Sequence, residues 1–119
     1  MVDWSNIEVD LIIADYFSML NEEFLQKPYN KTLHRKNLMP LLNNRSDGSV
    51  EFKHQNISAV LIKLGLPFIK GYMPRDNYQH VLEDRVIDYL KDQKQLLEPK
   101  FAQFADAVVS VSANYDFYS

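Results

Sequence analysis

Side chains of the kinds that contact DNA are concentrated between residues 45 and 56. A short polar turn, Arg45-Ser46-Asp47-Gly48-Ser49, leads into a helical pattern that carries Glu51, Lys53, His54, Gln55 and Asn56. In the major groove Gln can pair with adenine and Glu can accept from the cytosine amino group, while Lys and Arg neutralise phosphates. The segment therefore predicts a helix that contacts double-stranded DNA with its first turns.

Two kinds of contact are predicted within this segment. The free backbone N–H groups at a helix start hold phosphate, and base-reading side chains follow on the helix itself. The predicted phosphate contacts are Arg45, Ser46, Ser49 and Lys53, and the predicted base contacts are Glu51, Gln55 and Asn56, with Ser58 projecting beside Glu51 and Gln55. The alternative for each residue is an ordinary solvated helix surface.

A second candidate contact lies in the segment from Lys70 to Gln79. Arg75 is predicted to pair with a phosphate, and Tyr72 is predicted to stack on an exposed base. An aromatic wall of this kind would suit a modified or flipped base. The alternative is that the tyrosines close the core, which is favoured for Tyr78 because it falls on the inward stripe of its helix.

The distribution of charge supports a nucleic-acid partner although the net charge is −3. Residues 1–25 contain six acidic residues and no Lys or Arg, whereas residues 26–75 contain nine basic and two acidic residues. Residues 76–119 are acidic again. Because screening limits repulsion to about 8 Å in cell-like salt, a local basic face can still dock on DNA. The alternative is that the nine cations are scattered around the fold.

The composition excludes several kinds of chemistry. There is no cysteine, so disulfides, thiol catalysis and Cys-ligated zinc are excluded, which suits a reducing cytoplasm. Glu51-x-x-His54 has no second ligand pair, the glycines are isolated, and no Ser, His and Asp spacing assembles a triad. We therefore expect no catalytic residue, metal or cofactor. The apolar runs are too short to span a bilayer, and no signal peptide is visible at the start.

Helical periodicity predicts an all-α fold, a compact bundle of about five helices. Ser5-x-x-Glu8 is a capping box for a first helix that should end near Leu25, before Pro28. A second helix should start near Asn30 or Lys31 and reach Leu42, with a kink or a new turn at Pro40. Its predicted inward residues are Leu33, Leu38, Leu41 and Leu42.

The third helix should be capped by Ser46 or Ser49 and should end at Gly65-Leu66-Pro67. With the second helix it predicts a helix-turn-helix-like unit. The segment Phe68 to Pro74 is predicted to be a loop or a small wing. A fourth helix should follow a cap at Asp76-Asn77-Tyr78-Gln79, and a last helix should begin at Pro99. Residues 1–119 are predicted to be one domain.

These residues resemble a known family, the N-terminal head domain of ScoMcrA-like restriction endonucleases. The similarity covers about residues 4–90, and it rests on the segments Trp4-Ser5, Glu8-Val9, Ala14 to Leu20, His34-Arg35, Leu38, Arg45-Ser46, Ser49 to Leu61, Leu64 to Pro67, Gly71 to Pro74 and Asn77 to Gln79. The resemblance implies the front part of a larger bacterial multidomain protein that cuts modified DNA. In that family a separate HNH nuclease domain performs the cutting, and the head domain has no catalytic role to carry over.

A DNA-recognition module of an anti-phage restriction protein is therefore the predicted function. A rival prediction from a different class is a protein-interaction or dimerisation module. In that case Phe52, Ile62 and the aromatic tail would dock on a partner, a neighbouring domain or a second copy of the chain.

Overall fold

A computed structural model describes residues 3–93 of the chain. Within this range the protein is all-helical, with four α-helices and no strand. The helices are α1 (Asn6–Phe24), α2 (Lys31–Leu38), α3 (Asp47–Lys63) and α4 (His80–Asp92), and a 3₁₀ turn occupies Met39–Leu41. The all-α prediction is confirmed. The predicted last helix at Pro99 lies outside the described residues, so the observed number is four rather than about five.

The helix α1 follows its sequence pattern closely. The Ser5 hydroxyl accepts from the Glu8 N–H at 3.2 Å, and the Glu8 carboxylate accepts from the Ser5 N–H at 3.0 Å, which completes the predicted capping box. The helix ends at Phe24, one residue before the predicted end. Its apolar stripe is buried against α2, α3 and α4.

Pro40 divides the predicted second helix. The α-helix ends at Leu38, and the chain continues as a 3₁₀ turn because proline has no N–H for the helical ladder. This change of geometry also changes which leucines are inward. Leu38 and Leu42 are buried as predicted, but Leu33 is 56% exposed and Leu41 is 59% exposed, so the prediction was wrong for those two.

The long helix α3 is the second central element of the core. Ser46 is its N-cap, and Gly65 follows its end with a φ of 72°, a left-handed conformation that suits glycine. Both helix ends were predicted. The helix buries residues on nearly every side, namely Val50, His54, Asn56, Ile57, Ser58, Ala59, Val60 and Leu61. Because it is buried on so many sides, α3 packs against both α1 and α4 and holds them in place.

The segment between α3 and α4 is non-helical, as the sequence predicted. Ile69 and Tyr72 point into the core from this loop. The fourth helix begins at His80, and its N-cap residue Gln79 makes no side-chain capping bond, so the predicted cap at Asp76 was misplaced. None of the helices in residues 3–93 combines the length and the apolar character needed to cross a bilayer.

Candidate nucleic-acid interface

The start of α3 is exposed, and Ser46 occupies it as predicted. The Ser46 hydroxyl accepts from the Ser49 N–H at 3.1 Å, so it satisfies one of the free donors at this end. Ser49 is half-buried, and its hydroxyl oxygen is shielded from solvent without a hydrogen-bond partner. The capping role therefore belongs to Ser46, and the Ser49 hydroxyl does not project toward a ligand.

The side chain of Arg45 points into the protein. Its Nε donates to Glu8 Oε2 at 2.9 Å and its Nη2 donates to Glu8 Oε1 at 2.8 Å. Nη2 also donates to the Asp3 carbonyl, and the guanidinium lies 4.8 Å from the centre of the Trp4 ring. Glu8 is only 2% exposed. Arg45 thus joins the turn before α3 to the start of α1, which is a structural role that the sequence analysis missed.

The ion pair with Arg45 strongly affects the pKa of the Glu8 carboxyl. The Arg45 guanidinium, together with the N–H groups of Asn43 and Ser5, holds the pKa of the Glu8 carboxyl well below its ordinary value, against the opposing effect of burial. Glu8 also accepts from the Asn43 N–H at 2.9 Å. A carboxylate with this many donors stays charged in the folded protein and orients Arg45 inward.

Lys53 lies beside the same tryptophan. Its Nζ is 5.3 Å from the centre of the Trp4 ring, so Arg45 and Lys53 both contact this ring. Burial and the nearby charge of Arg45 lower the pKa of the Lys53 ammonium. Lys53 is half-buried, and it is the residue next to the exposed Phe52 on α3.

The three predicted base contacts have different environments. Glu51 is engaged by Lys31, whose Nζ lies 3.5 Å from its carboxylate. Gln55 is half-buried, and its backbone carbonyl accepts from the backbone N–H of Arg75 at 3.1 Å. Asn56 is 1% exposed and donates to the Arg75 carbonyl at 2.7 Å. Asn56 therefore fastens the loop to α3 and offers no side chain to a base.

Ser58, which was expected to project beside Glu51 and Gln55, is buried. Its hydroxyl lies 2.7 Å from the hydroxyl of Tyr16 on α1. All residues of α3 from Asn56 to Leu61 are buried, and the loop before α4 is bonded to this part of the helix, so the open positions of α3 lie in its first turns and at Ile62 and Lys63. The prediction of an outward Ser58 was wrong.

Tyr72 is part of the core. It is 1% exposed, its ring stacks on His54 with a centroid distance of 4.7 Å, and Lys31 Nζ lies 3.9 Å from its ring centre. The alternative considered for this tyrosine, closure of the core, describes its position. In this conformation a base cannot stack on it.

Arg75 is exposed, and its guanidinium lies 5.6 Å from the centre of the Phe52 ring. Phe52 is itself 36% exposed on α3. Gln55 is joined to Arg75 by a backbone hydrogen bond, and Lys53 follows Phe52 on α3 with its ammonium on the Trp4 side. We call Phe52, Lys53, Gln55 and Arg75 the Phe52 surface. Phe52 was not among the predicted DNA contacts, although its apolar side chain off the inward stripe was a signal that it would be exposed.

Four of the other mid-chain cations are paired with acidic residues, some of them at the surface. Besides the pair between Arg45 and Glu8, the structure contains ion pairs of Lys31 with Glu51, Arg35 with Asp47 and Lys63 with Glu83. The basic middle of the sequence therefore neutralises acidic residues elsewhere in the fold as well as facing solvent. Exposed cations also lie away from the Phe52 surface, at Lys27 and Lys36.

Asp15 forms a second buried polar cluster at the junction of α1, α2 and α3. One of its oxygens lies 2.8 Å from His34 Nδ1, and the other lies 3.1 Å from His54 Nε2. His54 is thus engaged by Asp15 and not by Glu51, with which it shares the Glu-x-x-His spacing. No group of three or more His, Asp or Glu side chains within residues 3–93 is arranged to hold a metal ion.

Comparison with models of known protein families, with curated proteins and with solved structures returned no match. The resemblance to the restriction-enzyme head domain stays a prediction from the sequence. The case for function rests on the geometry of the Phe52 surface.

Proposed function

We propose that this chain is a DNA-recognition module that acts for a linked effector domain, and that it contacts DNA through the Phe52 surface. By the sequence resemblance, the effector is an HNH-type nuclease of a modification-dependent restriction protein, and the module senses modified bases. No catalytic role is assigned to the residues of this chain. The helix-turn-helix-like arrangement of α2 and α3 is part of the same proposal.

The observation that carries the proposal is the position of one cation over an exposed aromatic ring, with a second cation next to that ring in the helix. Arg75 lies over Phe52, and Lys53 follows Phe52 directly on α3. Cations beside an exposed aromatic side chain suit a ligand that has both phosphates and planar bases. The exposed N-cap of α3 at Ser46 adds the positive end of a helix dipole near this patch.

Removal of the two cations tests the surface. The double variant Lys53→Ala with Arg75→Ala should bind DNA more weakly for every sequence, because two phosphate contacts are lost. The slope of log affinity against log salt should also fall by roughly 0.9 for each lost contact. Fluorescence polarisation with a labelled duplex at several salt concentrations measures both quantities.

A matched control removes the same charge elsewhere. Lys27, after α1, and Lys36, on α2, are exposed, so Lys27→Ala with Lys36→Ala changes the net charge equally. This control should keep the affinity and salt slope of the unchanged protein. Equal weakening in both double variants would contradict a localised interface, and no weakening in the first would contradict the proposal.

A protein-interaction or dimerisation module is the second candidate, and the exposed apolar side chains favour it. Ile62 is 46% exposed on α3, and Leu33 and Leu41 are more than half exposed on α2 and the 3₁₀ turn. Sedimentation velocity with and without DNA separates the two functions. A concentration-dependent dimer that Phe52→Ala or Ile62→Ala dissociates, together with no DNA-dependent change, would support this second candidate.

A further inference from the structure

We infer that the Phe52 surface recognises unpaired nucleotides, so that single-stranded DNA is a better ligand for this chain than an intact duplex. The inference rests on the proposed function, because it names the form of nucleic acid that the same surface contacts. It departs from the sequence expectation of a helix that reads the major groove of double-stranded DNA.

The first reason is that α3 is embedded in the fold. A groove-reading helix offers side chains to the base edges over successive turns. In α3 every residue from Asn56 to Leu61 is buried, so the middle of the helix offers no side chain to a groove, and the exposed positions lie in its first turns and at Ile62 and Lys63. The bond from Asn56 to the Arg75 carbonyl, at 2.7 Å, holds the loop over the helix. This loop blocks the approach of a duplex along the helix axis.

The second reason is the chemistry of the side chains that remain open. Two of the three polar side chains predicted to read base edges are engaged, since Glu51 is paired with Lys31 and Asn56 with backbone, and the third, Gln55, is half-buried. The central exposed side chain is Phe52, whose ring has no hydrogen-bonding group. A phenyl ring contacts a base mainly by stacking on its face, and that face is accessible only when the base is unpaired or at a strand end.

The third reason is the arrangement of charge around the ring. The planar guanidinium of Arg75 lies 5.6 Å from the Phe52 ring centre, and Lys53 is the next residue of α3. Single-stranded nucleic acids are held by aromatic rings that stack on bases and by cations that follow the backbone. Phe52 supplies the first element, and Lys53 and Arg75 supply the second.

Fluorescence polarisation of the full chain tests the inference with two labelled probes, a thymidine oligonucleotide of about 20 nucleotides and a mixed-sequence duplex of about 20 base pairs. We expect tighter binding to the single strand. Phe52→Ala should weaken that binding by about 5-fold to about 150-fold, the range for loss of one stacked base, and should affect the duplex much less. Phe52→Trp keeps an aromatic ring at this position, so this variant should bind the single strand about as tightly as the unchanged protein.

Ile62→Ala is the matched control, because it removes another exposed apolar side chain from the same helix. It should leave binding to both probes unchanged. Equal or tighter duplex binding, or a neutral Phe52→Ala, would overturn the inference, while the proposed function would survive if Lys53→Ala with Arg75→Ala still weakened binding. Failure to bind either probe would overturn the inference and the proposed function together.

Discussion

At the residue scale, the ion pair between Arg45 and Glu8 shows how one contact combines several roles. Glu8 caps α1, and the same carboxylate receives two bonds from Arg45 and one from the Asn43 N–H. The side chains of Glu8 and Arg45 are 2% and 9% exposed. A carboxylate in this position needs its donors, because a buried charge without a partner is strongly unfavourable.

The first residue-scale prediction concerns stability. Arg45→Ala should lower the free energy of unfolding by about 3 kcal/mol, since it leaves the Glu8 charge buried without its main partner. Urea unfolding followed by circular dichroism measures the change. Arg35→Ala is the control, because Arg35 forms a longer, more exposed pair with Asp47 at 3.5 Å and should change stability by less than about 1 kcal/mol. Similar losses for both variants would contradict the role assigned to Arg45.

The same carboxylate predicts a pH dependence. The folded-state pKa of Glu8 is lowered from its ordinary value of 4.5, so its contribution to stability is fully present above that value. As pH falls below about 4.5, the unfolded chain takes up the proton first and the contribution is progressively lost. Glu8→Gln removes this titration, so its unfolding free energy should fall less steeply than that of the unchanged protein between pH 5 and about pH 2.5. Parallel curves would contradict the assignment.

At the element scale, the helix ends are built from local bonds. After α1, the N–H of Lys27 donates to the Glu22 carbonyl at 2.9 Å while Gln26 adopts a φ of 56°. After α3, Leu66 donates to the Leu61 carbonyl at 2.8 Å around Gly65. Both ends are Schellman motifs, which need one left-handed residue. The N-cap of α3 is equally local, because the Ser46 hydroxyl bonds to an N–H only three residues away.

The two serines at the start of α3 provide the element-scale prediction. Ser46→Ala should lower the free energy of unfolding by about 1 kcal/mol, because the capping bond is lost. Ser49→Ala is the matched control: its hydroxyl has no hydrogen-bond partner, so its removal should be neutral or slightly stabilising. Thermal unfolding of the two variants checks the difference. A larger loss for Ser49→Ala would show that Ser49 is the functional cap.

At the scale of the whole molecule, α1 organises the fold through its polar side chains as well as its apolar stripe. Its acidic residues contact each of the other helical segments: Glu8 binds Arg45 before α3, Asp15 binds His34 and His54, and Asp10 binds Arg85 on α4. Tyr16 completes the connection, because its hydroxyl contacts Ser58 on α3 and accepts from the Ile69 N–H in the loop. The acidic start of the sequence thus meets the basic middle inside one fold.

Tyr16→Phe tests this central connection. Tyr16 is fully buried, and the variant leaves the buried Ile69 N–H without its acceptor, so the free energy of unfolding should fall by about 1–3 kcal/mol. Tyr29→Phe is the control, because the Tyr29 hydroxyl donates to Glu23 at a partly exposed site and should contribute less. Chemical denaturation measures both. Equal losses of unfolding free energy in the two variants would mean that the buried hydrogen bonds of Tyr16 stabilise the fold no more than the partly exposed bond of Tyr29.

The helices themselves were predictable because their signals are local. The capping box at Ser5, the break at Pro40 and the glycine end at Gly65 each act within a few residues, and the structure has all three. Val50, Ile57 and Leu61 of α3 recur at helical spacing in the sequence, and all three are buried.

The candidate interface was less predictable because exposure depends on what packs against each polar residue. Gln55 and Arg75 are brought together and Lys53 lies beside Trp4, whereas Asn56 and Tyr72 are buried and Arg45 is turned toward Glu8. Polar residues on one helix look alike in sequence, and their partners come from α1, α2 and the loop before α4. No periodicity identifies such partners.

The amino-acid sequence by itself determined the helical class and most helix ends, because caps, prolines and periodicity act over one or two turns. It placed the inward leucines around Pro40 only in part, since Leu33 and Leu41 are exposed. Only the tertiary structure decided which charges remain available to a ligand. The acidic residues of α1 are far from their partners along the chain, and folding brings Glu8 to Arg45, Asp10 to Arg85, and Asp15 to His34 and His54. Folding also leaves Arg75 exposed beside Phe52.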